Sequence, residues 1–148
     1  MDYVRLGKTG LRISRIALGC MSYGDPTSTS AHLWSLDDED AQPFFRQAVE
    51  LGVTFWDTAN VYQHGTSEEL VGRAIKRYSR REEIVLATKV HGKMHDGPGG
   101  QGLSRKATSS RSTPRWPGSG PTTSTSTRST ASIPTLPSRR PWRPCTTS

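Results

Sequence analysis

Val53-Thr54-Phe55-Trp56-Asp57-Thr58-Ala59-Asn60-Val61-Tyr62 reads as a short strand that ends on an acid and runs into a loop carrying a phenol. The next such run, Ile84-Val85-Leu86-Ala87-Thr88-Lys89, is continuously apolar and ends on an amine. A run of that kind is expected to be a strand buried on both faces. Between the two lies Thr66–Tyr78. There Leu70, Val71, Ala74, Ile75 and Tyr78 fall on one helical face, and Thr66 with Glu69 offers a capping box. Strand, helix and strand in succession imply parallel pairing.

Working outward toward the N-terminus, Ile16-Ala17-Leu18-Gly19 is a further candidate buried strand. Asp37-Asp38-Glu39-Asp40 and an early Pro43 mark the start of a helix whose apolar positions are Phe44, Phe45, Ala48, Val49 and Leu51. Gly52 suits the left-handed position just past its end. Tyr3–Leu6 and Leu11–Ser14 flank Gly7-Lys8-Thr9-Gly10 as a hairpin. No phosphate-binding loop is implied there, because the upstream glycine of that motif is missing. Residues 20–36 and 91–103 read as loops, and Ser104 as the cap of a third helix.

The composition changes at Thr108. Residues 108–148 hold 10 Ser, 10 Thr, 7 Pro and 6 Arg, with no Asp, Glu or Lys. Of the net charge of +7, +6 lies in this segment, so residues 1–107 are nearly neutral. That balance argues against a nucleic-acid partner for the first part. The tail has no basic run longer than Arg139-Arg140, a poor base for phosphate binding through counterion release. Cys20 and Cys145, one in each part, make no disulfide framework. Met1-Asp2-Tyr3-Val4-Arg5 is too polar for a signal peptide, and no apolar run approaches the length of a membrane span. A cytoplasmic protein with reduced thiols, touching no membrane, is expected.

Asp57, Tyr62 and Lys89 carry the chemistry. In parallel α/β structures, sites form at the C-terminal ends of strands. An ammonium beside a phenol favours the phenolate, and a carboxylate beside the ammonium holds it charged. Such a phenol suits protonation of a carbonyl oxygen while hydride from a nicotinamide reaches the carbon. Spacing alone leaves the plainer reading open, in which the acid caps a turn and the lysine is solvated. His64, His91 and His95 lack regular metal-ligand spacing, and no metal is expected.

Five segments share an order and spacing with a known family. They are Leu6–Leu11, Ala17-Leu18-Gly19-Cys20-Met21-Ser22-Tyr23-Gly24, Asp57–Tyr62, Ser67-Glu68-Glu69-Leu70-Val71-Gly72-Arg73-Ala74 and Ala87-Thr88-Lys89. By these, residues 2–107 resemble the N-terminal third of the NADP-dependent aldo-keto reductases, which are (β/α)8 barrels. The resemblance implies a partial TIM barrel for residues 1–107: the hairpin, the first three strands and two helices. It implies Tyr62 as general acid, with Lys89 lowering its pKa and Asp57 pairing with Lys89. It places Cys20, Met21 and Asp57 against NADPH, with a small-molecule carbonyl compound as substrate. The family's catalytic histidine, after the fourth strand, and most of its cofactor-phosphate contacts come from segments that do not appear here. Residues 108–148 are expected to be a disordered tail and an out-of-frame translation of the family's own coding sequence. The chain is therefore expected to be an inactive oxidoreductase fragment. The alternative is a non-catalytic, NADPH-binding regulatory or channel-associated subunit of the same barrel family.

Overall fold

A computed structural model describes residues 1–28, 32–105 and 107–108 of the chain. The expectation for the tail lies outside the described residues, Thr108 apart. Strands β1 (Tyr3–Arg5) and β2 (Arg12–Ser14) form the expected antiparallel hairpin. Strands β3 (Ala17–Gly19), β4 (Phe55–Asp57) and β5 (Val85–Ala87) form a parallel sheet in the order β3-β4-β5. Helices α1 (Asp38–Glu50) and α2 (Thr66–Tyr78) make the two crossovers.

Register fixes which side chains share a face. Leu18, Trp56 and Leu86 lie in one row, while Ala17, Phe55 and Val85 and then Gly19, Asp57 and Ala87 lie in the rows on the opposite face. The first row meets the helices. Trp56 is fully buried, its indole N–H donates to the Val53 carbonyl at 2.9 Å, and its ring sits 5.3 Å from that of Phe45. Ala41, Phe45 and Ala48 of α1, with Leu70, Val71, Ala74 and Ile75 of α2, complete this core. The opposite face is half-covered at most: Phe55, Asp57, Val85 and Ala87 are half-buried, and Ala17 and Gly19 are exposed. The expectation of a strand buried on both sides is corrected accordingly: among the described residues, helices cover one face only.

Local signals decided most element ends. The Asp37 carboxylate accepts from the Glu39 and Asp40 N–H groups, each at 3.0 Å, and starts α1. Pro43 consequently falls inside the helix rather than at its start. Phe44 and Leu51 are exposed, so the buried face of α1 is narrower than their apolarity suggested. Gly52 does take a left-handed conformation, with φ of 75°. The capping box at α2 does not form. Gly65, at φ of 96°, occupies the cap, and Thr66 turns its hydroxyl back to the Gln63 carbonyl at 2.8 Å. A helical turn opens after Ser104, whose hydroxyl accepts from the Ala107 N–H at 3.2 Å and whose carbonyl accepts from that of Thr108 at 2.8 Å.

The hairpin is tied to the N-terminal end of the sheet. The Ser14 hydroxyl accepts from the Thr54 and Phe55 N–H groups at 3.0 and 3.2 Å, and the Tyr3 hydroxyl donates to the Gly52 carbonyl at 3.0 Å. The C-terminal end of the sheet is left for the site.

Candidate functional site

The parallel ladder continues past the strands proper. Cys20 N–H donates to the Asp57 carbonyl at 2.8 Å, Thr58 N–H to Ala87 at 2.9 Å and Asn60 N–H to Lys89 at 3.0 Å. Asp57 sits opposite Ala87, and Lys89 lies two residues on, so the acid and the amine emerge on the same face. The ammonium of Lys89 donates to Asp57 Oδ1 at 2.5 Å, to the Thr58 carbonyl at 3.0 Å and to the Tyr62 hydroxyl oxygen at 3.1 Å. These three contacts use all three of its protons. The ammonium also lies 5.0 Å from the centre of the Tyr62 ring, within reach of a cation–π attraction.

Partial burial pulls the Lys89 pKa down. Hydrogen bonds to Asp57 and Tyr62, with the attraction of both groups, outweigh that and leave it above its ordinary 10.5. The group is therefore a cation at neutral pH. The pair is half open to solvent, with side-chain exposures of 51% for Lys89 and 37% for Asp57. Screened pairs of this kind add little to stability. Their consequence here is geometric: because Lys89 donates to the phenol oxygen, the phenol proton is directed elsewhere.

Tyr62 is carried on the irregular turn Tyr62–Gly65, in which Gln63 and His64 adopt left-handed conformations with φ of 42° and 54°. Such geometry costs about 1–2 kcal/mol at each non-glycine residue, so its surroundings must hold it. Gln63 is 1% exposed, and its amide donates to the Ser35 hydroxyl at 2.7 Å. The Thr66 hydroxyl bridges the two segments, accepting from the Asp25 N–H at 2.8 Å while donating to the Gln63 carbonyl. Gly24 lies flat against this turn. A β-carbon there would stand 2.8 Å from Thr66 Oγ1 and 2.9 Å from the Gln63 β-carbon, at a φ of 143°. Gly24→Ala is expected to destabilise the protein by about 1–3 kcal/mol, read as a lower urea midpoint.

The sequence singled out Tyr62 but missed Gln63. Glycine normally signals a left-handed turn, and the local glycine, Gly65, lies at the helix cap instead. Of the residues expected to face a cofactor, Met21 is exposed at the end of β3 and Asp57 stands in the cluster. Cys20 is fully buried, and burial pushes its thiol up to about 12, with the Asp57 charge adding to the effect. Its side chain belongs to the core. An exposed apolar side chain, a fixed cation and a phenol thus share the C-terminal end of the sheet, and these are the described residues that could meet a cofactor.

Beside the site, the Thr88 hydroxyl donates to Glu68 Oε1 at 2.6 Å. Burial raises the Glu68 pKa above its ordinary 4.5, and this hydrogen bond only partly opposes the shift. A raised folded-state value means that the contribution is favourable below pH 4.5 and is lost as pH rises through the folded value. Glu68→Gln keeps the acceptor and removes the charge. Its melting temperature is expected to exceed the parent's at pH 7 and to converge with it below pH 4.5. No three His, Cys, Asp or Glu side chains among the described residues are grouped to hold a metal ion, and none of their helices is long and apolar enough to cross a membrane.

The three-stranded parallel sheet with its two crossover helices is the arrangement of part of an α/β barrel, with a lysine-bound phenol at its C-terminal end. The chain belongs to the aldo/keto reductase family, whose model matches residues 15–112. It is 44% identical over 92 residues to versiconal hemiacetal acetate reductase of Aspergillus parasiticus, covering 62% of this chain and 26% of that protein. It is 43% identical over 97 residues to the aldo-keto reductase dtxS3 of Metarhizium robertsii, covering 65% and 25%. Among solved structures, the holo form of an aldo-keto reductase from Bacillus halodurans superposes with a TM-score of 0.53 at 35% identity, over 68% of this chain and 30% of that one. The chain thus spans about a quarter of the length of the curated relatives it matches.

Proposed function

We propose that this chain carries the proton-donating half of an NADPH-dependent carbonyl reductase site. The observation behind it is the set of three hydrogen bonds that Lys89 makes to Asp57, Thr58 and Tyr62. Tyr62 gives its proton to the carbonyl oxygen of an aldehyde or ketone. The Lys89 ammonium, already on the phenol oxygen, stabilises the phenolate left behind, and Asp57 keeps Lys89 charged and in place. NADPH, when bound, would supply the hydride, and Met21 and Asp57 would line its site. The remaining cofactor contacts and the substrate pocket belong to sequence beyond residue 107, so the 148-residue chain by itself is inactive in this reading.

The test compares NADPH oxidation, with a panel of aldehydes and ketones, by this chain and by the protein with its frame restored after Ala107. Turnover by the restored protein alone supports the reading. Tight NADPH binding without turnover on any substrate in the panel supports a regulatory subunit instead.

A further inference from the structure

At the end of the described residues the fold is left in mid-course. β5 pairs with β4 along one edge, and no described strand lies on its other edge. A helical turn has opened after Ser104. In a right-handed parallel unit, a helix following β5 returns the chain to a new strand on that open edge. Residues 108–148, as written, offer neither a helical nor an alternating apolar period.

The genetic code offers both. Let the last base of each codon be read with the first two bases of the next. Every threonine codon begins AC, so each such junction encodes Tyr, His, Asn or Asp. A serine codon of the TC type yields Phe, Leu, Ile or Val. Tryptophan and cysteine codons begin TG and yield Leu, Met or Val, or, after a C-ending codon, Leu again. Except at junctions ending on Ser, Arg or Leu, whose codons begin in either of two ways, only the first base of each recovered codon is free, and the middle base decides between polar and apolar. With TC-type serines, the junctions ending on Ser112, Trp116 and Ser119 are therefore apolar, at helical spacing. From Thr122 to Thr127 the sequence Thr-Thr-Ser-Thr-Ser-Thr becomes polar-polar-apolar-polar-apolar-polar, the alternation of a strand. Trp142 and Cys145 then open a second helical spacing.

We infer that residues 108–148 are the out-of-frame translation of nucleotides whose other frame completes the helix begun at Ser104 and supplies a parallel strand for the free edge of β5. One permitted reading from the Ser110/Arg111 junction runs E-I-D-A-S-L-A-R-L-G-T-D-Y-V-D-L-Y-Q-I-H, with no stop. One base lost, or two gained, near Ala107–Thr108 produces the sequence as it stands. The family match ends at residue 112, within a few residues of the proposed break. The inference holds whether or not the carbonyl-reducing reading does, because it concerns the fold.

Sequencing genomic DNA and cDNA across the codons for residues 100–148 decides it, since the third bases become visible. Third bases that spell an open reading with the helix and strand patterns are the expected result, whether the break lies in the gene or in its earlier sequencing. Stop codons in the shifted frame, or AG-type serine codons at Ser124 and Ser126, would overturn it. As a second measurement, the chain with one base restored is expected to melt in a single cooperative transition, and the 148-residue chain is not. Equal melting of the two would count against the inference.

Discussion

Tyr62→Phe, made in the frame-restored protein, is expected to lower kcat by about 10²–10⁴-fold, the usual worth of a positioned general acid. The substitution removes one oxygen and leaves the ring and its contact with Lys89, 5.0 Å from centre to ammonium, in place. In the proposed reading the phenol acts on the substrate, so NADPH affinity should hardly change. Steady-state kinetics beside a fluorescence titration of the cofactor separate these effects. A variant that keeps most of its turnover would remove Tyr62 as the proton donor, whatever the family. A variant that loses cofactor binding as well would show that the hydroxyl props up the strand-end cluster instead.

Trp56→Ala is expected to cost about 3–5 kcal/mol, the range for large aromatic truncations in a core. Trp56 is fully buried, stacks obliquely on Phe45 and holds the Val53 carbonyl through its indole N–H. It also sits one residue before Asp57, so its loss unfastens the strand that presents the acid. Domains are stable by only about 5–15 kcal/mol, so a loss of this size is a large part of the margin. A urea transition shifted to much lower concentration in the frame-restored variant is the expected reading. A shift of less than about 1 kcal/mol would place the weight of this core elsewhere, on Phe45 and α2.

The sheet order, the two crossover helices and the hairpin were legible because each rests on a local signal: Asp37 at a cap, Gly52 past a helix end, apolar runs between. The grouping of Asp57, Tyr62 and Lys89 was legible from strand ends and family resemblance together. Other features were settled by packing the sequence does not display. Thr66 and Glu69 spell a capping box, but Thr66 bonds to Gln63 and Asp25, and a left-handed Gly65 takes the cap. Ile84–Thr88 spells a strand covered on both faces, yet helices cover one. Cys20 follows a strand end as a ligand contact would, and its thiol turns into the core. Gln63 gave no signal, because an amide that holds a left-handed backbone looks like any surface glutamine until Ser35 is found beside it.

That amide has a consequence for how such a protein diversifies. Segments leaving the mouth of a barrel are where new specificities arise, since they tolerate insertion and drift. Here the span between β3 and α1 is fastened at Ser35 and Asp25 to the turn that bears the phenol. A lineage that remodels this span also shifts the turn that holds Tyr62 against Lys89, so a change in one segment is carried to the other.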